Sequence, residues 1–85
     1  MSYILSPRIQ FNYDKKFDVL YYRWDRTDNT YGDEVEDDII LLRDIETDNI
    51  KGITVLNFKK RYYSNQTYML EKYFDVEKIA KICFE

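Results

Sequence analysis

The segment Phe11–Trp24 constrains the fold more than any other part of the chain. Polar and apolar residues alternate from Arg8 to Tyr13, which is typical of an antiparallel strand with one buried face. Asp14-Lys15-Lys16 then favours a tight turn, because the Asp14 carboxylate can accept backbone N–H bonds. A second strand follows from Phe17 to Trp24. The segment therefore predicts a β-hairpin.

The second strand of this hairpin is apolar or aromatic on both faces. Side chains alternate between the faces of a strand, so one face carries Leu20, Tyr22 and Trp24, and the other carries Phe17, Val19 and Tyr21. We therefore expect a central strand that is covered on both sides. Asp14 and Asp18 bracket the turn, and we interpret both as structural caps that satisfy backbone donors.

Two further strands are predicted downstream. Asp25–Asp38 is polar and acidic and is expected to be a long connection. Ile39–Arg43 is a short apolar run that favours a strand. Ile50–Phe58 alternates like a strand, and Gly52 within it indicates a bulge or a close backbone approach.

The C-terminal part is predicted to be helical or irregular. Asp75 is a good N-cap, and Val76, Ile79, Ala80 and Cys83 recur at helical spacing. The tyrosine-rich stretch 59–74 fits neither a helix nor a strand. The predicted fold is α+β: a four-stranded antiparallel β-meander over residues 9–58, with a C-terminal helical segment from 59–85 packed on one face.

Length and composition are typical of one small soluble domain. The 85 residues form a single domain, 1–85, and its core is expected to be thin. A single cysteine forms no internal disulfide, and no signal peptide or membrane span is recognised at sequence level. We therefore expect a cytoplasmic protein without a membrane partner.

The charge is unevenly distributed. The net charge is −3, and residues 25–48 contain ten acidic and two basic side chains. Such an acidic block argues against a general nucleic-acid binder, since phosphate binding needs a positive surface. The run Phe58-Lys59-Lys60-Arg61-Tyr62-Tyr63 leaves weak RNA binding through Lys59–Tyr63 open as an alternative.

Residues 9–58 resemble a small bacterial family, the domain of unknown function 2283. The matching segments are Tyr13-Asp14, Asp18–Arg23, Glu34–Ile40 and Gly52–Leu56. Thr54 stands where the family usually has Glu, so a role for that carboxylate is not carried over. The family name implies no activity, but an association with small toxin-like proteins implies an antitoxin-like or regulatory partner as a second hypothesis.

No catalytic, metal-binding or cofactor-binding residues are predicted. The chain has no histidine, which removes the commonest general base, and Cys83 is interpreted as a small buried apolar residue. The carboxylates in 33–38 could bind a metal ion, but a solvated acidic loop is the simpler interpretation. A calcium loop starting at Asp25 fails because Thr30 stands where the turn requires glycine.

The leading hypothesis is a non-enzymatic protein-interaction module that self-associates as a homodimer or joins another small protein. An apolar sheet face left uncovered in so small a protein would mark an interface. The predicted interaction surface consists of Leu20, Tyr22, Trp24, Tyr62 and Tyr63. Asp14, Asp18 and Gly52 are predicted to be structural.

Overall fold

The computed structural model describes residues 2–4, 9–25 and 28–84, and these residues form one antiparallel sheet followed by helices. The strands are β1 Ser2–Ile4, β2 Gln10–Asp14, β3 Val19–Arg23, β4 Thr30–Glu36, β5 Ile39–Asp44 and β6 Ile50–Leu56. The helices are α1 Phe58–Tyr63 and α2 Val76–Phe84, with the 3-10 helix Leu70–Lys72 between them. The predicted α+β class is confirmed. Arg8, which was included in the first predicted strand, lies outside the described residues.

The sheet differs from the predicted four-stranded meander in strand number and in strand order. Five strands, β2 to β6, make up its body, and the three-residue β1 pairs with β2 at one edge. The spatial order is β1-β2-β3-β6-β5-β4, so β3 neighbours β6 and the chain crosses to the far edge before β4. Three hairpin-connected strands with a fourth returning beside them form a Greek-key arrangement.

The additional strand, β4, lies within the acidic segment that was expected to be a connection. It pairs with β5 on one side only, which makes it an edge strand. Edge strands need few apolar side chains, and charge on them hinders pairing with other chains. Asp33 is held by Arg43 at 2.8 Å, and a register shift between Glu34 and Glu36 bends the strand before the next turn.

The predicted C-terminal helix is present, and it packs on one face of the sheet. The Asp75 carboxylate accepts the backbone N–H of Lys78 at 3.2 Å, as expected of an N-cap. All four residues placed on its apolar side are buried: Val76, Ile79, Ala80 and Cys83. A nine-residue helix is not stable alone in water, so its formation depends on this packing.

The core lies between the helices and one face of the sheet. Alternate residues of four strands point into it, namely Phe11, Tyr13, Leu20, Tyr22, Ile39, Leu41, Ile53 and Val55. From the other side, Phe58, Leu70 and Phe74 join the buried face of α2. Removing a side chain of this size from water contributes about 1.5–3 kcal/mol. The segment 59–74 therefore contributes to covering the sheet.

Gly52 occupies the close approach that the sequence indicated. A Cβ atom at this position would lie 2.8 Å from the carbonyl oxygen of Tyr22 and 3.2 Å from the Cα of Arg23. Both are backbone atoms of the neighbouring strand β3. The pairing of β5 with β6 also shifts register next to Gly52, between Leu42 and Arg43.

We predict that Gly52→Ala lowers the free energy of unfolding by about 1–3 kcal/mol, because backbone atoms must move to admit the methyl group. Gly32→Ala is the matched control. Its Cβ would meet the Cγ2 atom of Ile40 at 3.1 Å, and a side chain can shift more easily than a strand. Urea denaturation of both variants measures the difference. Equal losses at the two glycines would show that the β3–β6 approach is not the cause.

Candidate interaction surfaces

The described helices pack on one face of the sheet and leave the opposite face uncovered. Cross-strand pairing places Asn12, Tyr21, Thr54, Ile40 and Glu34 side by side in one row on this face. The row on one side of it contains Gln10, Arg23, Gly52, Leu42 and Gly32. The row on the other side contains Val19 and Leu56. We call these residues the open face. Its centre is uncharged: Tyr21 is 48% exposed, Ile40, Leu42 and Leu56 are half-buried, and Val19 and Gly52 are buried.

Charged side chains lie near the two sides of the open face rather than at its centre. Arg23, on β3, donates a hydrogen bond to the Oε1 atom of Gln10 on β2. Glu34, on the edge strand β4, is exposed. The face therefore carries Arg23 near one side and Glu34 at the other, and Asp14 adds a negative charge at the β2 end of the row that contains Val19.

Two residues of the predicted interaction surface belong to the core instead. Leu20 is 0% exposed and Tyr22 is 7% exposed, because the chain's own helical segment covers their face. The ring of Tyr22 stacks on Phe74 at 4.8 Å between centroids. As surface residues, Leu20 and Tyr22 were therefore wrongly assigned. The face that was predicted to contact another molecule packs against the C-terminal segment of the same chain.

Trp24 lies at the margin of that core and is half-buried. Its ring lies parallel to that of Tyr73, with centroids 6.4 Å apart, and its indole N–H donates to the carbonyl oxygen of Ile50 at 2.9 Å. Both the apolar ring and its polar atom are therefore used within the chain. Trp24 therefore holds the start of β6 in place, and its ring packs within the chain rather than forming an exposed contact surface.

Tyr62 and Tyr63 form a second surface with Phe84. Tyr63 is 65% exposed, and its ring centroid lies 5.9 Å from that of Phe84 at the end of α2. Tyr62 is half-buried and lies 5.7 Å from the same ring, while the Lys59 ammonium lies 5.9 Å from its centroid. We call Tyr62, Tyr63 and Phe84 the aromatic corner.

The basic run beside the aromatic corner makes contacts within the chain. The Arg61 guanidinium donates to the carbonyl oxygen of Asp37 at 2.9 Å and to that of Gln66 at 3.1 Å. The acidic β4–β5 turn and the basic helix α1 are thus held together. Arg61 has a structural role that sequence spacing alone did not reveal.

Asp18 caps a helix that begins forty residues later in the chain. Its carboxylate accepts the Tyr13 hydroxyl at 2.6 Å and the backbone N–H groups of Lys59 at 2.8 Å and Lys60 at 3.4 Å. Asn57, at the start of α1, makes no side-chain cap bond. We call this set of bonds the Asp18 cap. Asp18 is structural, as predicted, but it caps a helix as well as the hairpin.

Asp14 has the predicted local role. Its Oδ1 atom accepts the backbone N–H groups of Lys16 at 2.9 Å and Phe17 at 3.2 Å, which forms an Asx turn. The turn is longer than expected, and β3 begins at Val19 rather than Phe17. Phe17 is consequently 66% exposed.

Burial changes the acid–base properties of two core groups. Burial, together with the bond to Asp18, raises the pKa of Tyr13 far above its usual value near 10. Burial raises the pKa of the Cys83 thiol to about 11. Cys83 therefore remains a protonated thiol at neutral pH, which is opposite to the state of a reactive cysteine.

The acidic side chains do not converge on a metal site in the described part of the chain. No group of three or more His, Cys, Asp or Glu residues there could hold an ion. In the segment 33–38, Asp33 is paired with Arg43, while Glu34 belongs to the open face. One carboxylate oxygen of Glu36 is buried without a hydrogen-bond partner.

The architecture defines a small α+β protein with a helical layer on one side of an antiparallel sheet. No protein-family model, no curated protein and no solved structure matches the chain. The resemblance of residues 9–58 to the domain of unknown function 2283 therefore stays a prediction. Among the described residues, no helix has the length and apolar character needed to cross a membrane.

Sequence reasoning missed most of the open face, although a signal for it was present. Ile39-Ile40-Leu41-Leu42 is apolar at four successive positions, so a strand at this place must be apolar on both faces. The helices cover Ile39 and Leu41, which leaves Ile40 and Leu42 on the other side. Glu34 could not be added, because its strand was not predicted.

We predict that Asp18→Asn lowers the free energy of unfolding by about 1–2 kcal/mol, since one amide oxygen cannot replace a charged carboxylate that accepts three bonds. Asparagine tolerates the left-handed backbone at residue 18, where φ is 57°, so the change tests the carboxylate alone. Asp14→Asn is the control, because its amide oxygen can still close the Asx turn. Comparable losses in the two variants would argue against the Asp18 cap.

Alkaline pH provides a second test of the Tyr13–Asp18 bond. The pKa of Tyr13 is higher in the folded chain than in the unfolded one, so the fold holds this proton more tightly. Its contribution to stability is complete below about pH 10 and is lost as the pH rises above it. Tyr13→Phe should reduce the loss by up to about 1.4 kcal/mol per pH unit in denaturation series above pH 10. The slope remains in part, because burial also raises the pKa values of Tyr22 and Cys83. An unchanged slope would contradict the assignment.

Proposed function

We propose that this chain is a non-enzymatic protein-interaction module of the cytoplasm that self-associates through its open face. The observation that carries the proposal is the sheet's asymmetry. The described helices cover one face, while the other presents the exposed Tyr21 together with the half-buried side chains of Ile40, Leu42 and Leu56. A contiguous apolar patch on a small protein marks an interaction surface.

A second copy is the occupant that the composition of the open face favours. The centre of the face bears no charged side chain, so two copies can meet without burying an unpaired charge. Closed twofold symmetry is the commonest form of association between identical chains, and it buries the same patch on both.

The area of the open face determines how tightly we expect the two copies to bind. Five strands at about 4.8 Å spacing and about five residues at about 3.3 Å give roughly 400 Å² on each copy. Standard stable interfaces bury about 800 Å² per partner, and smaller ones belong to transient complexes. The homodimer should therefore be weak, with a dissociation constant in the micromolar range.

The remaining hypotheses receive less support. The geometry does not favour RNA binding through Lys59–Tyr63, since Arg61 already donates to two backbone carbonyl groups and the acidic Asp37 turn lies beside it. The antitoxin-like role rests on the family resemblance and stays a prediction.

Analytical ultracentrifugation over a range of micromolar concentrations tests the proposal. Tyr21→Glu should weaken self-association by about tenfold or more, because it places a negative charge in the apolar contact. Tyr63→Glu is the matched control, since it makes the same change at an exposed tyrosine in the aromatic corner, on the helical side.

A wild-type chain that stays monomeric throughout this range would refute the proposal. If Tyr63→Glu dissociates the complex while Tyr21→Glu does not, self-association uses the aromatic corner instead. That second outcome would keep the interaction module but reject the open face. Circular dichroism melting curves establish that both variants remain folded.

A further inference from the structure

The side chains of the open face are complementary to themselves in one particular arrangement. Sheets that pack face to face keep their strands within about 30° of each other. For two identical copies, a twofold axis lying in the contact plane can run along the strands or across them. These choices bring different residues together, so the pattern of charge and size on the face can distinguish them.

A twofold axis across the strands lays each strand on the equivalent strand of the partner subunit. The edge strand β4 then meets β4 of the partner and β3 meets β3, so Glu34 and Arg23 each face a strand that carries the same charge and never the opposite one. Like charges in such a contact are unfavourable. This arrangement is therefore disfavoured.

An axis along the strands, between β5 and β6, gives a better match. It lays β6 on the partner's β5, so Leu42 lies opposite Gly52 of the partner subunit and Ile40 opposite Thr54 of the partner subunit. Gly52 has no side chain, so Leu42 meets no opposing side chain at this position. Alternation of large and small side chains lets two facing layers interdigitate.

The same axis lays β3 on the partner's β4 and pairs the charges at the sides of the face. Tyr21 then lies opposite Glu34 of the partner subunit, with its hydroxyl available to a carboxylate. Arg23 is one row away, a separation of roughly 7 Å that its long side chain spans. The twofold symmetry makes each of these contacts twice.

From this match we infer that two copies pack with the twofold axis along the strands and between β5 and β6, pairing Arg23 of each copy with Glu34 of the other. The inference rests on the proposed function, because it specifies how the open face is used. Complementary charges at the rim fix the register, while the apolar band supplies most of the contact area.

Charge exchange between two variants tests the pairing. Arg23→Glu alone places Glu against Glu at both contacts, and Glu34→Arg alone places Arg against Arg. Each variant should therefore self-associate about tenfold more weakly than the wild type at low salt. In an equal mixture the mixed dimer regains two opposite-charge pairs, and its affinity should return to within about threefold of the wild type. Sedimentation with one variant labelled measures the mixed species.

Reversals on α2 supply controls with the same change in net charge. Lys81 and Glu77 form an exposed pair at 3.5 Å on the helical side of the protein. Lys81→Glu and Glu77→Arg should leave self-association unchanged. Thermal melting establishes that every variant is folded, since Arg23→Glu also removes the bond to Gln10.

The outcomes separate the arrangement from the proposed function. The arrangement would be overturned if both charge reversals left self-association unchanged, or if mixing the two variants did not restore the affinity. Either result would leave the open face as the contact surface. A wild-type chain that does not self-associate would overturn both. The pairing of Arg23 with Glu34 is supported if the affinity is lost in each single variant and restored in their mixture, while the α2 controls associate like the wild type.

Discussion

The Asp18 carboxylate joins the two layers of this protein. It lies at the turn between β2 and β3, accepts the hydroxyl of a core tyrosine, and receives the first backbone N–H groups of α1. A six-residue helix cannot stabilise itself, and the Asn57 side chain makes no cap bond. The carboxylate therefore fixes where the helical layer begins, and Phe58 enters the core at that point. The direction of the chain after the sheet depends on this contact.

Because the helical layer starts at one face, none of the helices in the described part of the chain lies on the other face. The acidic strand β4 and its bend at Glu34 and Glu36 make one edge of the sheet a poor template for another strand. The pairing of another strand with the β4 edge is thereby hindered. The same charges do not block contact through the apolar band of the open face. The charges that keep this edge from pairing also supply Glu34 to the rim of the open face. The charges on β4 are therefore compatible with the proposed contact through the open face and unfavourable for strand pairing at the β4 edge.

Local patterns in the sequence predicted some elements well and others poorly. The spacing of Val76, Ile79, Ala80 and Cys83 behind Asp75 was sufficient for α2, because cap and buried face are both local signals. Helix α1 gave no such signal, since its cap comes from a residue far away in the chain. Strand β4 was missed because an edge strand pairs through its backbone and can carry acidic side chains. Alternation also assigned Leu20 and Tyr22 to one face correctly, but it could not tell which face the tail would cover.

Gly52 shows why fold and surface are difficult to separate on the open face. The backbone of β3 approaches it so closely that a Cβ atom would meet a carbonyl oxygen, so the fold itself requires glycine there. In the proposed arrangement the same glycine lies opposite Leu42 and presents no side chain to it. A larger residue at this position would therefore crowd Leu42 and also disturb the β3–β6 pairing, and the two effects would be measured together. The charged residues at the rim lack this double constraint, because their side chains point to solvent and their backbone pairing does not depend on their charge. The proposed self-association can therefore be tested separately from folding through Arg23 and Glu34 rather than through the centre of the face.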